Sequence, residues 1–263
     1  MREFFGFGGY QREAEGFMSW QHLTFVTSLV VVMFVLAICL GRRNRLKADA
    51  VKNKVLIVAA IAIDVIELFK IVMLCIRGRD PMHWLTELPL FLCSIQLITL
   101  PLAAFSKGRL REASLDFVFI FGLLGALLGT YGAGQNYGCY PVLSFDNVVS
   151  GVTHVISGFS SLYIVISGMA SMKRRNIVIT YGILMGFCTA AFVTNKLIDY
   201  NYMFLVRGDG TPYDIIFNLV GGHEILYPLS VVFLFLLYIT VFYSVYFFKR
   251  KSAKVTNSNM VHG

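Results

Sequence analysis

Seven apolar stretches, each near twenty residues long, limit what this chain can fold into. They run over 22–40, 55–76, 84–106, 114–131, 148–170, 177–196 and 226–248. At 1.5 Å of rise per residue, each approaches the roughly 30 Å of a bilayer's hydrocarbon core. A backbone N–H or C=O left unpaired in lipid costs several kcal/mol, so a crossing segment must be helical. The expected fold class is therefore all-α, a polytopic membrane bundle of about seven transmembrane helices. Composition agrees: 14% of residues are charged, against about a quarter in soluble domains. The expected organisation is a short outer N-terminal segment (1–21), a seven-span membrane domain (22–248) and a basic cytoplasmic tail (249–263). No cleavable leader is expected, because Arg2, Glu3, Arg12, Glu13 and Glu15 interrupt the region where an apolar core would lie.

The net charge of +8 would suit a nucleic-acid binder, but its placement excludes that class. Sixteen Lys and Arg residues fall in the connectors 41–54, 107–111 and 173–175 and in the tail after 248. Five (Arg2, Arg12, Arg77, Arg79 and Arg207) fall on the other side. This alternation predicts an outer N-terminus and a cytoplasmic C-terminus, with the plasma membrane as the expected location. The outer connections, 132–141 and 197–225, are long and rich in glycine. Such segments often carry binding functions, whereas the inner connectors are short and basic.

Ionisable residues inside a span are costly and need a reason. The second span holds Asp64, Glu67 and Lys70 at three-residue steps, so Glu67 and Lys70 can pair. A structural ion pair and a functional relay explain them equally well. The third span carries Cys93 and Gln96. Counted as helix from Trp84, Cys93 lies roughly 14 Å below the outer surface. The fifth span carries His154 on a face of small and polar residues (Gly151, Ser157, Gly158 and Ser161), roughly 9 Å down by the same count. Either residue alone is more simply a packing group. Together, at compatible depths, they form a candidate nucleophile and base, since a buried thiol needs a neighbouring base to become thiolate. Gln96, Asn195 and Asn201 are candidates for substrate or oxyanion contacts.

Other patterns carry less. His223-Glu224 lacks the second histidine of a zinc-protease helix, having Tyr227 there. Gly125 and Gly129 read as a helix-packing pair, and Arg207-Gly208-Asp209 as a turn. Cys75 and Cys139, on the same side, are candidates for a disulfide. No metal site and no cofactor are expected.

At Leu88-Pro89-Leu90-Phe91-Leu92-Cys93-Ser94 the sequence resembles the YwaF family of integral membrane proteins, which is related to the eukaryotic transmembrane protein 164 family. His154 and Asn201-Tyr202-Met203-Phe204-Leu205 agree in order, and the likeness extends from Trp20-Gln21-His22 to the last span. It implies a seven-helix fold and acyl transfer between lipids, with Cys93 as acyl-accepting nucleophile and His154 as its partner. Phe91 stands where bacterial members often carry a histidine, so any role of that ring is either absent here or moved to another group such as His22 or His223.

Two functions follow as expectations. The first is a lipid acyltransferase or hydrolase acting through Cys93 and His154, with membrane lipids as solvent and substrate. The second is a transporter or small-molecule binding protein that uses Asp64, Glu67 and Lys70 as a charged relay.

Overall fold

The structure, a computed structural model, describes residues 2–261. Those residues form an all-helical chain without strands: α1 (Trp20–Asn44), α2 (Asp49–Gly78), α3 (Gln96–Phe105), α4 (Gly108–Tyr131), α5 (Gly134–Cys139), α6 (Phe145–Ile166), α7 (Ile177–Ile198), α8 (Tyr213–Leu219) and α9 (Leu226–Val261). Among the described residues, five segments are long and apolar enough to cross a membrane: Trp20–Asn44, Gly108–Cys139, Phe145–Ile166, Arg174–Ile198 and Leu226–Phe248. The chain divides into two compact units, Met1–Ser171 and Met172–Gly263.

In the first unit, α6 is the central helix and packs against α4, α1 and α2. Its start is fixed by Ser144, whose hydroxyl accepts the Asn147 N–H at 3.3 Å. Ser19 caps α1 in the same way, accepting from His22 N–H at 3.2 Å. These side chains satisfy amide groups that the first helical turn leaves unpaired. The seam between α4 and α6 depends on residues without bulk. A Cβ on Gly122 would lie 2.8 Å from the Ser157 carbonyl oxygen and 2.9 Å from Ser161 Cβ. Ser161 Oγ closes the seam by donating to the Phe119 carbonyl at 2.8 Å.

The outward faces are the reverse of a soluble protein's. Along α2 the exposed residues Val58, Ile61, Val65, Leu68, Val72 and Ile76 form one stripe, with the three- and four-residue spacing of a helix face. The opposite stripe buries Leu56, Ala60, Ile63 and Leu74. Lipid is the solvent that covers such a surface. Glu67 and Lys70 sit on the inward side of α2, which explains how an apolar stretch (55–76) with three charged residues belongs to a membrane bundle.

The third apolar stretch departs from the expected single helix over 84–106. It begins with a 3-10 turn, His83–Thr86, and becomes regular only at Gln96. Pro89 has no N–H to donate and disfavours helical backbone at Leu88. Ser94 Oγ then accepts from the Phe91 N–H at 3.0 Å and donates to the Phe91 carbonyl at 3.1 Å, competing with helical bonds. The 14 Å depth reckoned for Cys93 along a helix therefore does not apply.

Residues 2–18 form a strap across one end of the first unit. Arg77 from α2 grips Asp146 from α6 with two parallel bonds, Nη1 to Oδ2 at 2.6 Å and Nη2 to Oδ1 at 2.8 Å. Tyr10 of the strap donates its hydroxyl to the same carboxylate. Burial, together with that carboxylate, pushes the Tyr10 phenol up to about 12. The Phe145 N–H donates to the Phe4 carbonyl at 2.9 Å, and Glu15 accepts the Val142 N–H at 2.7 Å. Cys75 and Cys139, proposed above as disulfide partners, are both free thiols.

In the second unit, α7 and α9 are joined by Thr180 Oγ1 to Tyr243 Oη at 3.1 Å and Tyr181 Oη to Thr240 Oγ1 at 2.6 Å.

The close seam makes a testable claim on stability. Gly122→Ala should cost about 1–3 kcal/mol, because the Ser157 backbone cannot move aside without bending α6. A fluorescence-detected melting curve in detergent should fall by several degrees, with Gly182→Ala, where no atom lies within 4 Å of the added carbon, as the silent control.

Candidate functional site

Cys93 lies in the unwound stretch between the 3-10 turn and α3, three residues before Gln96 opens the helix. Two features gather around its sulfur. The backbone N–H groups of Cys93 and Ser94 lie against it. The His154 side chain of α6 is its side-chain partner, and Cys93 is in turn the leading side-chain partner of His154.

His154 is held from behind. Its Nδ1–H donates to the Ser150 carbonyl one turn earlier, at 2.7 Å, and lies 3.4 Å from Ser150 Oγ. With Nδ1 carrying the proton, a neutral ring presents a lone pair at Nε2. Nε2 is shielded from solvent and makes no hydrogen bond of regular geometry. It therefore faces the thiol as an acceptor not committed elsewhere.

The floor beneath both residues is α4. A Cβ added to Gly129 would come within 1.9 Å of His154 Cδ2 and 2.0 Å of Nε2, whereas one added to Gly125 would sit 3.5 Å from Cys93 Cα and Cβ, an ordinary contact. Gly129 is thus the space that the imidazole occupies. The two glycines do more than bring helices together, which is all their spacing indicates in the sequence.

The remaining candidate residues separate into groups. Gln96 is 1% exposed; its Oε1 accepts from Thr99 Oγ1 at 3.2 Å and its Nε2 has no partner. Asn195 and Asn201 belong to the second unit, and their side chains are occupied there. Asn195 donates to the Tyr202 carbonyl at 3.0 Å and accepts its N–H at 2.6 Å. Asn201 donates to the Arg207 carbonyl and to Asp209, both at 2.8 Å, and accepts from Val206 N–H at 2.9 Å. Both hold the 200–209 loop, in which Met203 and Phe204 have positive φ.

The charged cluster differs from the sequence's version of it. Lys70 Nζ contacts Glu67 at 2.6 Å and also Glu87 at 2.9 Å, a residue the three-step pattern does not include. Asp64 stands apart, with Oδ1 buried and unpaired. The two rings named as substitutes for a histidine at 91 have structural bonds. His22 Nε2–H donates to the Thr130 carbonyl at 3.1 Å while its Nδ1 accepts from Met18 N–H. His223 Nδ1 accepts from Ile225 and Leu226 at the start of α9. Among the described residues, no three His, Cys, Asp or Glu side chains converge as metal ligands would.

Comparison with known protein families decides the lineage. The sequence profile of one family matches residues 17–246, nearly the whole chain. The chain belongs to the TMEM164 family. No curated protein and no solved structure matches it. The TMEM164 family match and the apolar helices together make it a multi-pass membrane protein. In this member, Cys93, His154 and Gly129 come from three separate elements of one unit.

The two glycines give opposite expectations. Gly129→Ala should displace the His154 ring and slow alkylation of Cys93 by about tenfold or more, because misplacement by an ångström is enough for such losses. Gly125→Ala should leave the rate within about threefold, since its added carbon makes only van der Waals contact. Peptide-resolved mass spectrometry after timed chloroacetamide treatment would measure both.

Proposed function

We infer that this TMEM164 family member is a lipid acyltransferase or hydrolase that works through a covalent thioester at Cys93. One observation carries the reading: an imidazole with its Nδ1–H tied to a carbonyl turns an uncommitted, shielded Nε2 toward a thiol. A structural histidine in a membrane bundle would have both ring nitrogens bonded, as His22 does.

Nε2 of His154 takes the Cys93 proton, and the thiolate attacks the carbonyl carbon of an acyl ester. Negative charge on the former carbonyl oxygen needs nearby donors. The N–H groups of Cys93 and Ser94, at the amino end of α3, are two candidates, and Gln96 Nε2 is a third. The C–O bond then breaks, and the departing alkoxide takes the proton from Nε2. In the second half, a lipid hydroxyl or water gives its proton to Nε2 and attacks the thioester. The acyl group leaves on the acceptor, and the thiolate recovers the proton. No metal or nucleotide is required by this sequence of steps.

The same reading includes topology. The broken third segment and α2 bring the crossings to seven, with the N-terminal strap outside, the basic tail in the cytoplasm and the plasma membrane as location. Its support is the alternation of basic connectors. On intact cells, a membrane-impermeant maleimide should label the exposed Cys139, while an antibody to a C-terminal tag should bind only after permeabilisation. The reverse pattern would invert the assignment.

The chemistry is tested by an electrophilic acyl analogue or chloroacetamide probe on purified protein. Cys93→Ser should abolish labelling at that peptide, and His154→Ala should slow it by about a hundredfold. Equal labelling of Cys93 with and without His154 would remove the nucleophile assignment.

A further inference from the structure

The ion cluster at α2 has no part in the acyl-transfer steps, yet it contacts the segment that carries Cys93. Lys70 reaches two carboxylates of different standing. Glu67 lies on the same helix one turn earlier, whereas Glu87 lies on the unwound segment six residues before Cys93. The three side chains are 17%, 12% and 23% exposed, so the pairings are largely shielded from solvent screening. His83 adds a longer contact to Glu87 at 3.8 Å. Lys70 also lies within electrostatic range of His154.

An unwound stretch keeps its shape through local bonds such as those between Phe91 and Ser94. Those bonds do not fix its position against neighbouring helices. The Lys70–Glu87 contact does, because α2 is a rigid helix that packs on α6, the helix carrying His154.

We propose that Lys70 and Glu87 are positioning residues, an ionic brace that holds the unwound turn on α2 and thereby sets Cys93 against His154. The proposal rests on the nucleophile reading above. Glu67 shares the ammonium but ties α2 only to itself, so the two carboxylates have different consequences. Loss of Glu87 releases the segment, while loss of Glu67 leaves it in place.

The experiment is Cys93 alkylation by a chloroacetamide probe on the full chain in detergent, read by peptide mass spectrometry, with a melting curve for each variant. Glu87→Gln and Lys70→Gln should each slow labelling by about tenfold or more, while Glu67→Gln should stay within about threefold of wild type. Reversing the brace in the triple variant E67Q/K70E/E87K should return the rate to within about threefold of Glu67→Gln, a rescue that an unspecific loss of packing would not give. Equal slowing by Glu67→Gln and Glu87→Gln would overturn the brace, as would a triple variant that labels no faster than Glu87→Gln. If Glu87→Gln does not fold, the triple variant decides: restored folding and labelling support the brace, and failure of either refutes it. A wild-type rate insensitive to His154→Ala would instead strike the nucleophile reading. A His154-dependent rate with Glu87→Gln unaffected would strike the brace alone.

Discussion

The arrangement depends on one constraint: irregular backbone in an apolar helical bundle must be sheltered by protein. Lipid offers no acceptor for a free N–H, so helices are the default and any unwound stretch needs a reason and a shelter. The stretch 87–95 has both. Pro89 and the Ser94 hydroxyl keep it from becoming helix, and α2 and α4 flank it through Lys70 and Gly125. What results is a cysteine whose own N–H and that of its neighbour are turned toward sulfur and not committed to a helical ladder. A regular helix would have bound those donors to carbonyls one turn back. Unwinding is therefore what would leave them available to the oxyanion of the proposed mechanism.

The partner ring is placed by the opposite strategy. His154 sits in the middle of a well-formed helix whose own Ser150 carbonyl fixes the tautomer. The ring would have nowhere to go if α4 carried a side chain at 129. One member of the pair is thus placed by a break in regular structure, and the other by regular structure with a residue-sized notch facing it. This division suits the base proposed above, which would return to the same place after each proton transfer. The helix and its carbonyl restore the ring, and the notch leaves it one orientation.

Much of the architecture is legible in the sequence because apolar run length and helix are linked through lipid. Six of the seven stretches fall within or largely within helices, and the exception was marked by Pro89. The third stretch looks equally apolar whether wound or unwound, so composition alone could not separate the two. Counting Cys93 down a helix used a ruler that does not apply there, even though the structure brings the thiol and His154 side by side. Glu87 was missed as the second partner of Lys70 because the two are 17 residues apart, across a chain reversal that no periodicity reports. Gly129 was read as packing because only coordinates reveal which atoms its missing Cβ spares. Asn195 and Asn201 read in the sequence as candidates for substrate or oxyanion contacts; in the structure both side chains bond to the 200–209 turn. The strap was invisible for the same reason as Glu87, since its anchors at Arg77 and Asp146 come from helices far apart in the chain.

The relay reading and the brace reading use the same charged residues and part on mobility. A relay needs a group that can leave one partner for another as a proton or ion passes. Lys70 has two of its three donors directed at carboxylates on either side, and Glu87 is engaged by Lys70 and approached by His83. A shielded charge that lets go of one partner leaves the other uncompensated in a medium of low dielectric, a cost of several kcal/mol. That cost favours a contact that stays made over one that must break in each cycle. Asp64, with an unpaired oxygen, is the group a relay would need. On the proposed reading, the cluster therefore belongs with the forces that hold the third segment in place, and the chemistry with the thiol and ring.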